Sequence, residues 1–210
     1  MTNKKTDSSI KLVLFDFGGV IADEGFKQGL FSISRENNIN TREFYSAACS
    51  IISDCGYLTG DADEKTFLQE VRKIFSLIGT DEYLSSQILS RFIVRGWVLE
   101  IINQLRDQKV LTAILSDQTD WLDRLNNKYD FFKYFDRIFN SFYLKQSKHN
   151  GWKIYDTVLK EMSIPANSAL FIDDNEKNIK NAEEIGLNAI LFKDRKSFEK
   201  ESKVFLLFVN

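Results

Sequence analysis

Polar side chains that can do chemistry follow three apolar runs of this sequence. The run "IKLVLFD" ends on Asp16, "VLTAILSD" ends on Ser116-Asp117, and "SALFIDD" ends on Asp173-Asp174. If these runs are parallel strands of one sheet, their carboxyl ends lie at one edge and the polar groups converge there. Carboxylates gathered at an apolar edge raise one another's pKa unless a cation lies among them, and Mg²⁺ prefers oxygen ligands of this kind. The pattern therefore favours a metal site over the alternative that each acid only caps a helix.

Two glycines, Gly18 and Gly19, come directly after the first acid in "LFDFGGVIAD". A carboxylate that attacks phosphorus needs a backbone that can approach the phosphate closely, and glycine permits this approach. The exposed N–H groups of such a turn can also bind phosphoryl oxygens. Both glycines are therefore candidates for phosphate binding, although an ordinary turn after a strand gives the same pattern. Asp23, at the end of this stretch, is expected to help anchor the turn.

The elements that must position these residues can be predicted from hydrophobic spacing. Residues 10–16, 110–117, 168–174 and 188–192 read as strands buried on both faces, and 136–141 as a weaker fifth strand. Helical spacing covers 97–109, 152–162 and 175–186, the last ending at Gly186. Strands that alternate with helices predict an α/β fold with a Rossmann-like parallel sheet flanked by helices.

Residues 24–95 contain apolar positions at helical spacing and no clear strand. This segment is too long for a simple crossover. We expect a helical cap domain at 24–95 over the strand ends, and an α/β core domain formed by 1–23 and 96–210. The apolar end of the chain, residues 203–210, has no predicted role.

Composition excludes several classes of protein. The 210 residues are 43% hydrophobic and carry 28 basic and 30 acidic groups, so no basic field favours nucleic-acid binding. No apolar run reaches the length of a membrane span, and the first nine residues lack the apolar region of a signal peptide. Cys49 and Cys55 are expected to be free thiols. A cytoplasmic protein with no membrane or nucleic-acid partner is the expectation.

Four stretches together resemble the haloacid dehalogenase-like (HAD) superfamily, in its subfamily with a small helical cap. "LFDFGGVIAD" resembles the first motif, "AILSD" the second, "SFYLKQSKHNGWKIY" the third and "LFIDDNEKNIKNAEEIGLNAILF" the fourth. "YLTGDADEKTF" resembles the start of a cap helix in such enzymes. The pattern is most similar to the sugar-phosphate phosphatases of the superfamily.

The resemblance implies a role for each candidate residue. Asp16 would be the nucleophile that forms an aspartyl-phosphate, while Ser116 donates a hydrogen bond to the phosphate and Lys148 neutralises the shared charge. Lys145 and Lys153 are competing matches for that lysine. The metal, Mg²⁺, would be bound by the residues of the first and fourth motifs: Asp16, the Gly18 carbonyl, Asp174 and, more indirectly, Asp173 with Asn178.

Three positions depart from the pattern of the family. Gly18 stands where phosphatases of the family usually have a second Asp, which moves protons to the leaving group and from water; such help is typically worth ~10²–10⁴-fold in rate. Asp117 follows Ser116 beside the phosphate site. It is a candidate substrate-binding residue that could replace the missing acid, or it points away and caps the next helix. His149 replaces a proline and is expected at the edge of the site or on the surface.

Three functions remain open at this stage. The first is a Mg²⁺-dependent phosphatase for a small phosphorylated metabolite, with sugar phosphates among the candidates. The second is a 2-haloacid dehalogenase, and the third is a catalytically impaired binding or regulatory protein. Polar candidates for substrate selection are Glu24, Lys27 and Arg35, and Tyr45 and Trp121 are candidates for a sugar-binding face. A monomer and a homodimer are both compatible with the sequence.

Overall fold

A parallel five-stranded sheet forms the centre of the fold in the computed structural model, which describes residues 9–205. The strands are β1 (Leu12–Phe15), β2 (Leu111–Ser116), β3 (Arg137–Asn140), β4 (Ala169–Asp173) and β5 (Asn188–Leu191). Their spatial order is β3-β2-β1-β4-β5, and every neighbouring pair is parallel. The predicted Rossmann-like α/β fold is confirmed, and so are all five predicted strands.

Helices connect these strands and cover both faces of the sheet. They are α1 (Gly25–Glu36), α2 (Thr41–Asp54), α3 (Glu64–Ile74), α4 (Asp81–Leu89), α5 (Gly96–Asp107), α6 (Trp121–Tyr129), α7 (Ser141–Leu144), α8 (Lys153–Met162), α9 (Glu176–Glu184) and α10 (Arg195–Ser202). The helices predicted from spacing correspond to α5, α8 and α9. Gly186 has a φ of 87° just after α9, in the left-handed conformation that commonly ends helices.

Apolar side chains alternate between the two faces of the sheet. On β1, Leu12 and Leu14 belong to one buried cluster, and Val13 and Phe15 belong to the other. This two-sided burial explains why the central strands are uninterrupted apolar runs. In the strand order β1 is the middle strand, so the residue that follows it lies between the ends of β2 and β4.

Helices α1 to α4 form one group between β1 and α5. Gly29 of α1 lets this helix approach α4 closely, because a Cβ at this position would lie 2.5 Å from the Cα of Ile88. Glu64, the first residue of α3, ties the group to α6: its carboxylate accepts hydrogen bonds from the Trp121 indole at 2.6 Å and the Arg124 guanidinium at 3.0 Å. The domain boundaries at 23/24 and 95/96 stay a prediction.

The two cysteines of the sequence, Cys49 and Cys55, are both free. No helix of the described residues is long and apolar enough to span a membrane. Of the apolar end, for which the sequence predicted no particular role, residues 206–210 lie outside the described residues.

Candidate active site

Asp16 lies at the carboxyl end of the central strand and is buried. Three groups surround its Oδ1 atom: the Ser116 hydroxyl donates at 2.8 Å, the Phe17 backbone N–H donates at 2.7 Å, and the Lys148 ammonium lies at 2.9 Å. Burial raises the pKa of Asp16 strongly, the Lys148 charge opposes the rise, and the nearby acids add to it. A cation bound among these acids would therefore favour the ionised carboxylate that a nucleophile must be.

Lys148 is the lysine that reaches the site. Its side chain is 1% exposed, and its ammonium bridges Asp16 Oδ1 at 2.9 Å and Asp173 Oδ2 at 2.7 Å. Burial alone would lower its pKa, but the charges of Asp16 and Asp173 outweigh burial and raise it, so the amine stays protonated. The two competing lysines lie elsewhere. Lys145 pairs with Asp61 at 3.3 Å, and Lys153 is exposed at the start of α8.

Asp117 makes contacts that neither sequence interpretation described, while a role for it toward the substrate stays a prediction. Its Oδ2 accepts a hydrogen bond from the Ser147 hydroxyl at 2.8 Å, and its Oδ1 accepts one from the Lys148 backbone N–H at 2.9 Å. The carboxylate thus fixes the loop that carries Lys148, although Asp117 also lines the cavity. It neither points away nor caps α6. His149 lies at the rim, with Nε2 at 3.7 Å from Asp117 Oδ2.

Three carboxylates form a cluster that fits a divalent cation. Asp16, Asp173 and Asp174 each offer an oxygen, and these oxygens lie within 4.8 Å of one another. Asp173 is fully buried and receives hydrogen bonds from Lys148, the Asn175 backbone and the Asn178 side chain. Asp174 is open to solvent on one side, yet packing around its carboxyl, together with the charges of Asp173 and Glu24, raises its pKa to about 6.

One buried polar atom beside this cluster supports the fit. The Asn178 side-chain Nδ2 donates to Asp173 Oδ1 at 3.1 Å and to Asp173 Oδ2 at 3.0 Å. The Oδ1 atom of Asn178 is buried without a hydrogen-bond partner in the described part of the chain. A buried acceptor of this kind is suited to a water molecule on a hydrated cation. Asp174, whose carboxylate is less engaged than that of Asp173, is the better candidate for direct coordination.

The turn after β1 brings backbone close to Asp174. Gly19 has a φ of 80°, and a Cβ there would lie 2.1 Å from Asp174 Oδ2. Gly18 has room for a Cβ, whose nearest neighbour would be Glu24 Oε2 at 3.5 Å. The turn is anchored as expected through Asp23, which accepts from the Arg95 guanidinium at 3.0 Å. The same guanidinium donates to the Gly19 and Val20 carbonyls, a role of Arg95 that the sequence did not indicate.

A cavity of about 210 Å³ opens above Asp16. The strand ends form its floor, where Asp16, Ser116, Lys148 and Asp174 meet. Its outer wall consists of side chains from the α1–α4 group and from the start of α6, namely Phe26, Tyr45, Cys49, Ile52, Leu58 and Trp121. The predicted aromatic candidates, Tyr45 and Trp121, and the polar candidate Glu24 line the cavity. Lys27 and Arg35 are exposed and do not line it.

This fold and site are those of a hydrolase of the α/β class whose candidate nucleophile is a carboxylate. The model of the haloacid dehalogenase-like hydrolase family matches residues 63–192, more than half of the chain. The chain therefore belongs to the haloacid dehalogenase-like hydrolase family.

Solved structures of several hydrolases have a similar fold. A HAD family enzyme from Bacteroides thetaiotaomicron is 23% identical, with a TM-score of 0.75 over 94% of this chain and 98% of that one. The same enzyme, solved in complex with magnesium and inorganic phosphate, matches at 21% identity and a TM-score of 0.70, over 88% of this chain and 95% of that one.

Two further structures with a similar fold differ in activity. A dehalogenase is 18% identical with a TM-score of 0.65, over 86% of this chain and 84% of that one. A HAD phosphatase from Thermococcus onnurineus is 18% identical with a TM-score of 0.60, over 89% of this chain and 87% of that one. The likeness in fold therefore does not distinguish a phosphatase from a dehalogenase.

Proposed function

We propose that this chain is a Mg²⁺-dependent phosphatase that hydrolyses a small phosphorylated metabolite through an aspartyl-phosphate on Asp16. One observation carries the proposal: the buried Lys148 ammonium and the cluster of three carboxylates lie side by side, and phosphoryl transfer needs both. The ammonium offsets negative charge on a phosphoryl group, and the carboxylates supply the oxygen ligands of a divalent cation. The magnesium and phosphate complex of the Bacteroides enzyme gives independent support.

Each residue then has a defined task. Asp16 attacks phosphorus, and the Ser116 hydroxyl and the Lys148 ammonium hold the carboxylate in place. Asp16, Asp174 and the Gly18 carbonyl are the proposed metal ligands, and Asp173 with Asn178 orients the lysine and the ligands. Mg²⁺, when bound, neutralises charge on the phosphoryl oxygens. Asp117 and Ser147 fix the lysine loop.

The site lacks the usual group for proton transfer. Gly18 offers no side chain, so the usual carrier between leaving group and water is missing at this position. We expect turnover to be slow with simple alkyl esters and faster when the leaving oxygen is activated, because an activated alkoxide needs less protonation. A sugar 1-phosphate, which has such a leaving group, remains a candidate substrate.

The second candidate function is a 2-haloacid dehalogenase, which the same glycine favours because halide leaves without a proton. The fourth-motif acids argue against it. Dehalogenation needs no metal, and the single Lys148 ammonium, which bridges Asp16 and Asp173, would then leave the three carboxylates of the cluster only partly compensated. A haloacid also carries its own carboxylate, and the lysine among the cavity-lining residues is already bonded to two acids.

A screen that measures both phosphate release and halide release, with Mg²⁺ or with EDTA, tests these functions. The substrates are p-nitrophenyl phosphate, sugar phosphates and a 2-haloacid, and the proteins are the native chain and Asp16→Asn. We expect phosphate release that requires both Mg²⁺ and Asp16, with Asp107→Asn as a control of equal chemistry at an exposed position of α5 outside the cavity. Halide release in EDTA would establish the dehalogenase instead. Magnesium binding without any turnover would indicate a catalytically impaired binding protein.

A further inference from the structure

Charge is distributed unequally around the cavity. Four carboxylates line it, those of Asp16, Glu24, Asp117 and Asp174. Among the described residues that line it, Lys148 is the one lysine, and there is no arginine. The ammonium of Lys148 is already engaged by Asp16 and Asp173. An incoming phosphate and a divalent cation would occupy the floor, where they offset each other. The part of the substrate that lies beyond the phosphate therefore meets Glu24, on which the lysine charges that act are those of exposed Lys27 and of the already engaged Lys148.

Glu24 lines the cavity next to the turn after β1. It caps the amino end of α1, where its Oε1 accepts from the Lys27 backbone N–H at 3.2 Å. The other oxygen, Oε2, lies 3.5 Å from the position that a Cβ on Gly18 would occupy. It therefore borders the space left open by the missing acid, next to the proposed leaving group. Burial raises the pKa of Glu24, and the hydrogen bond from the Lys27 backbone and the charges of Lys27 and Lys148 oppose the rise.

The outer wall offers ring faces beside this carboxylate. Phe26 and Trp121 lie with ring centroids 6.0 Å apart, and Tyr45 lines the same cavity. The Tyr45 ring already contacts one cation, because the Lys27 ammonium lies 5.8 Å from its ring centroid. Lys27 itself is exposed and does not line the cavity. Aromatic faces combined with a carboxylate are the usual environment for an organic ammonium group.

We propose that the substrate is a phosphate monoester of a small cationic alcohol, with Glu24 Oε2 and the aromatic outer wall binding its ammonium group. This inference rests on the proposed phosphatase function. Ammonium-bearing alcohols, amino sugars included, would be preferred over neutral polyols, and alcohols that carry a carboxylate or a second phosphate would be excluded by repulsion from Glu24.

The test compares three phosphate monoesters of equal length: 2-aminoethyl phosphate, 2-hydroxyethyl phosphate and carboxymethyl phosphate. The readout is kcat/KM for each ester with Mg²⁺, and p-nitrophenyl phosphate serves as a reference. We expect the ammonium ester to be the best substrate and the carboxylate ester the poorest. Glu24→Gln should reduce the ratio between ammonium and hydroxyl esters by roughly 10–100-fold, the worth of one charge-assisted hydrogen bond. Glu36→Gln, an exposed change on the same helix, should leave this ratio unaltered.

Two results would overturn the inference while leaving the phosphatase function standing. The first is a hydroxyl or carboxylate ester that is hydrolysed as well as the ammonium ester. The second is a Glu24→Gln variant that slows all esters equally, which would mean that Glu24 acts on the reaction and not on the alcohol. If p-nitrophenyl phosphate is not hydrolysed either, the proposed function itself is wrong and the inference falls with it.

Discussion

Replacing Gly19 by alanine is expected to displace the Asp174 carboxylate and thereby weaken metal binding. The added Cβ would lie 2.1 Å from Oδ2 and 2.4 Å from Cγ of Asp174, far inside contact distance. The side chain of Asp174 cannot stay where it is, so either its carboxylate rotates away or the turn moves. In both cases one of the proposed ligands leaves the cluster.

The size of the effect follows from two contributions. A φ of 80° is a left-handed conformation, which costs an alanine roughly 1–2 kcal/mol relative to glycine. Changes to groups that only orient a ligand typically lower metal affinity about 10–100-fold, so loss of a ligand should cost at least this much. We therefore expect Gly19→Ala to lose ~1–2 kcal/mol of stability without metal and to bind Mg²⁺ at least roughly tenfold more weakly.

Gly18→Ala provides the matched comparison, because it adds the same methyl group one residue earlier. Its φ lies outside the left-handed region, and its nearest new contact would be at 3.5 Å. The two variants are compared by urea unfolding of the metal-free protein and by calorimetric titration with Mg²⁺. If Gly19→Ala bound Mg²⁺ as tightly as Gly18→Ala does, Asp174 would not be a ligand in the position described, and the reasoning would fail.

Two further changes test the groups around the site. Lys148→Met should destabilise the metal-free protein by about 3–5 kcal/mol in urea, because it leaves buried Asp16 and Asp173 without their cation. The same change at exposed Lys145 should cost less than about 1 kcal/mol, and equal losses for the two would contradict the buried bridge. Glu64→Gln should lower the thermal midpoint by an amount equivalent to ~1–2 kcal/mol, since the bonds from Trp121 and Arg124 lose their ionised acceptor; an unchanged midpoint would show that this contact between α3 and α6 contributes nothing.

The sheet could be predicted because burial on both faces leaves a plain signal in the sequence. The signal is plainest in β1 and β4, while β2 includes Thr112 and β5 begins at Asn188; the parallel arrangement follows from the helices between the strands. The weaker signal for β3 has a physical cause. Both β3 and β5 lie at edges of the sheet, so the expected two-sided burial of 188–192 is not found, and β3 has the weaker signal because its first residue, Arg137, is charged and exposed.

The convergence of the acids could also be predicted, since it follows from parallel topology alone. The contacts made by loops could not. Asp117 binds the backbone of Lys148, 31 residues away, and no local pattern reports such a distance. Arg95 reaches the turn after β1 across 76 residues for the same reason. The choice among three lysines depended on loop geometry, because all three have the right chemistry and only Lys148 is buried.

Lys148 also affects the order in which folding and metal binding can occur. Many metal sites are collections of like charges that the folded chain tolerates only once the ion has arrived. Here a covalently attached cation already lies between Asp16 and Asp173, so part of the repulsion is balanced by the chain itself. Folding therefore need not wait for the metal. With the proposed Mg²⁺ site, a newly made chain in a magnesium-poor environment would reach its native shape first and gain the proposed activity later, so that metal supply would control activity and not survival.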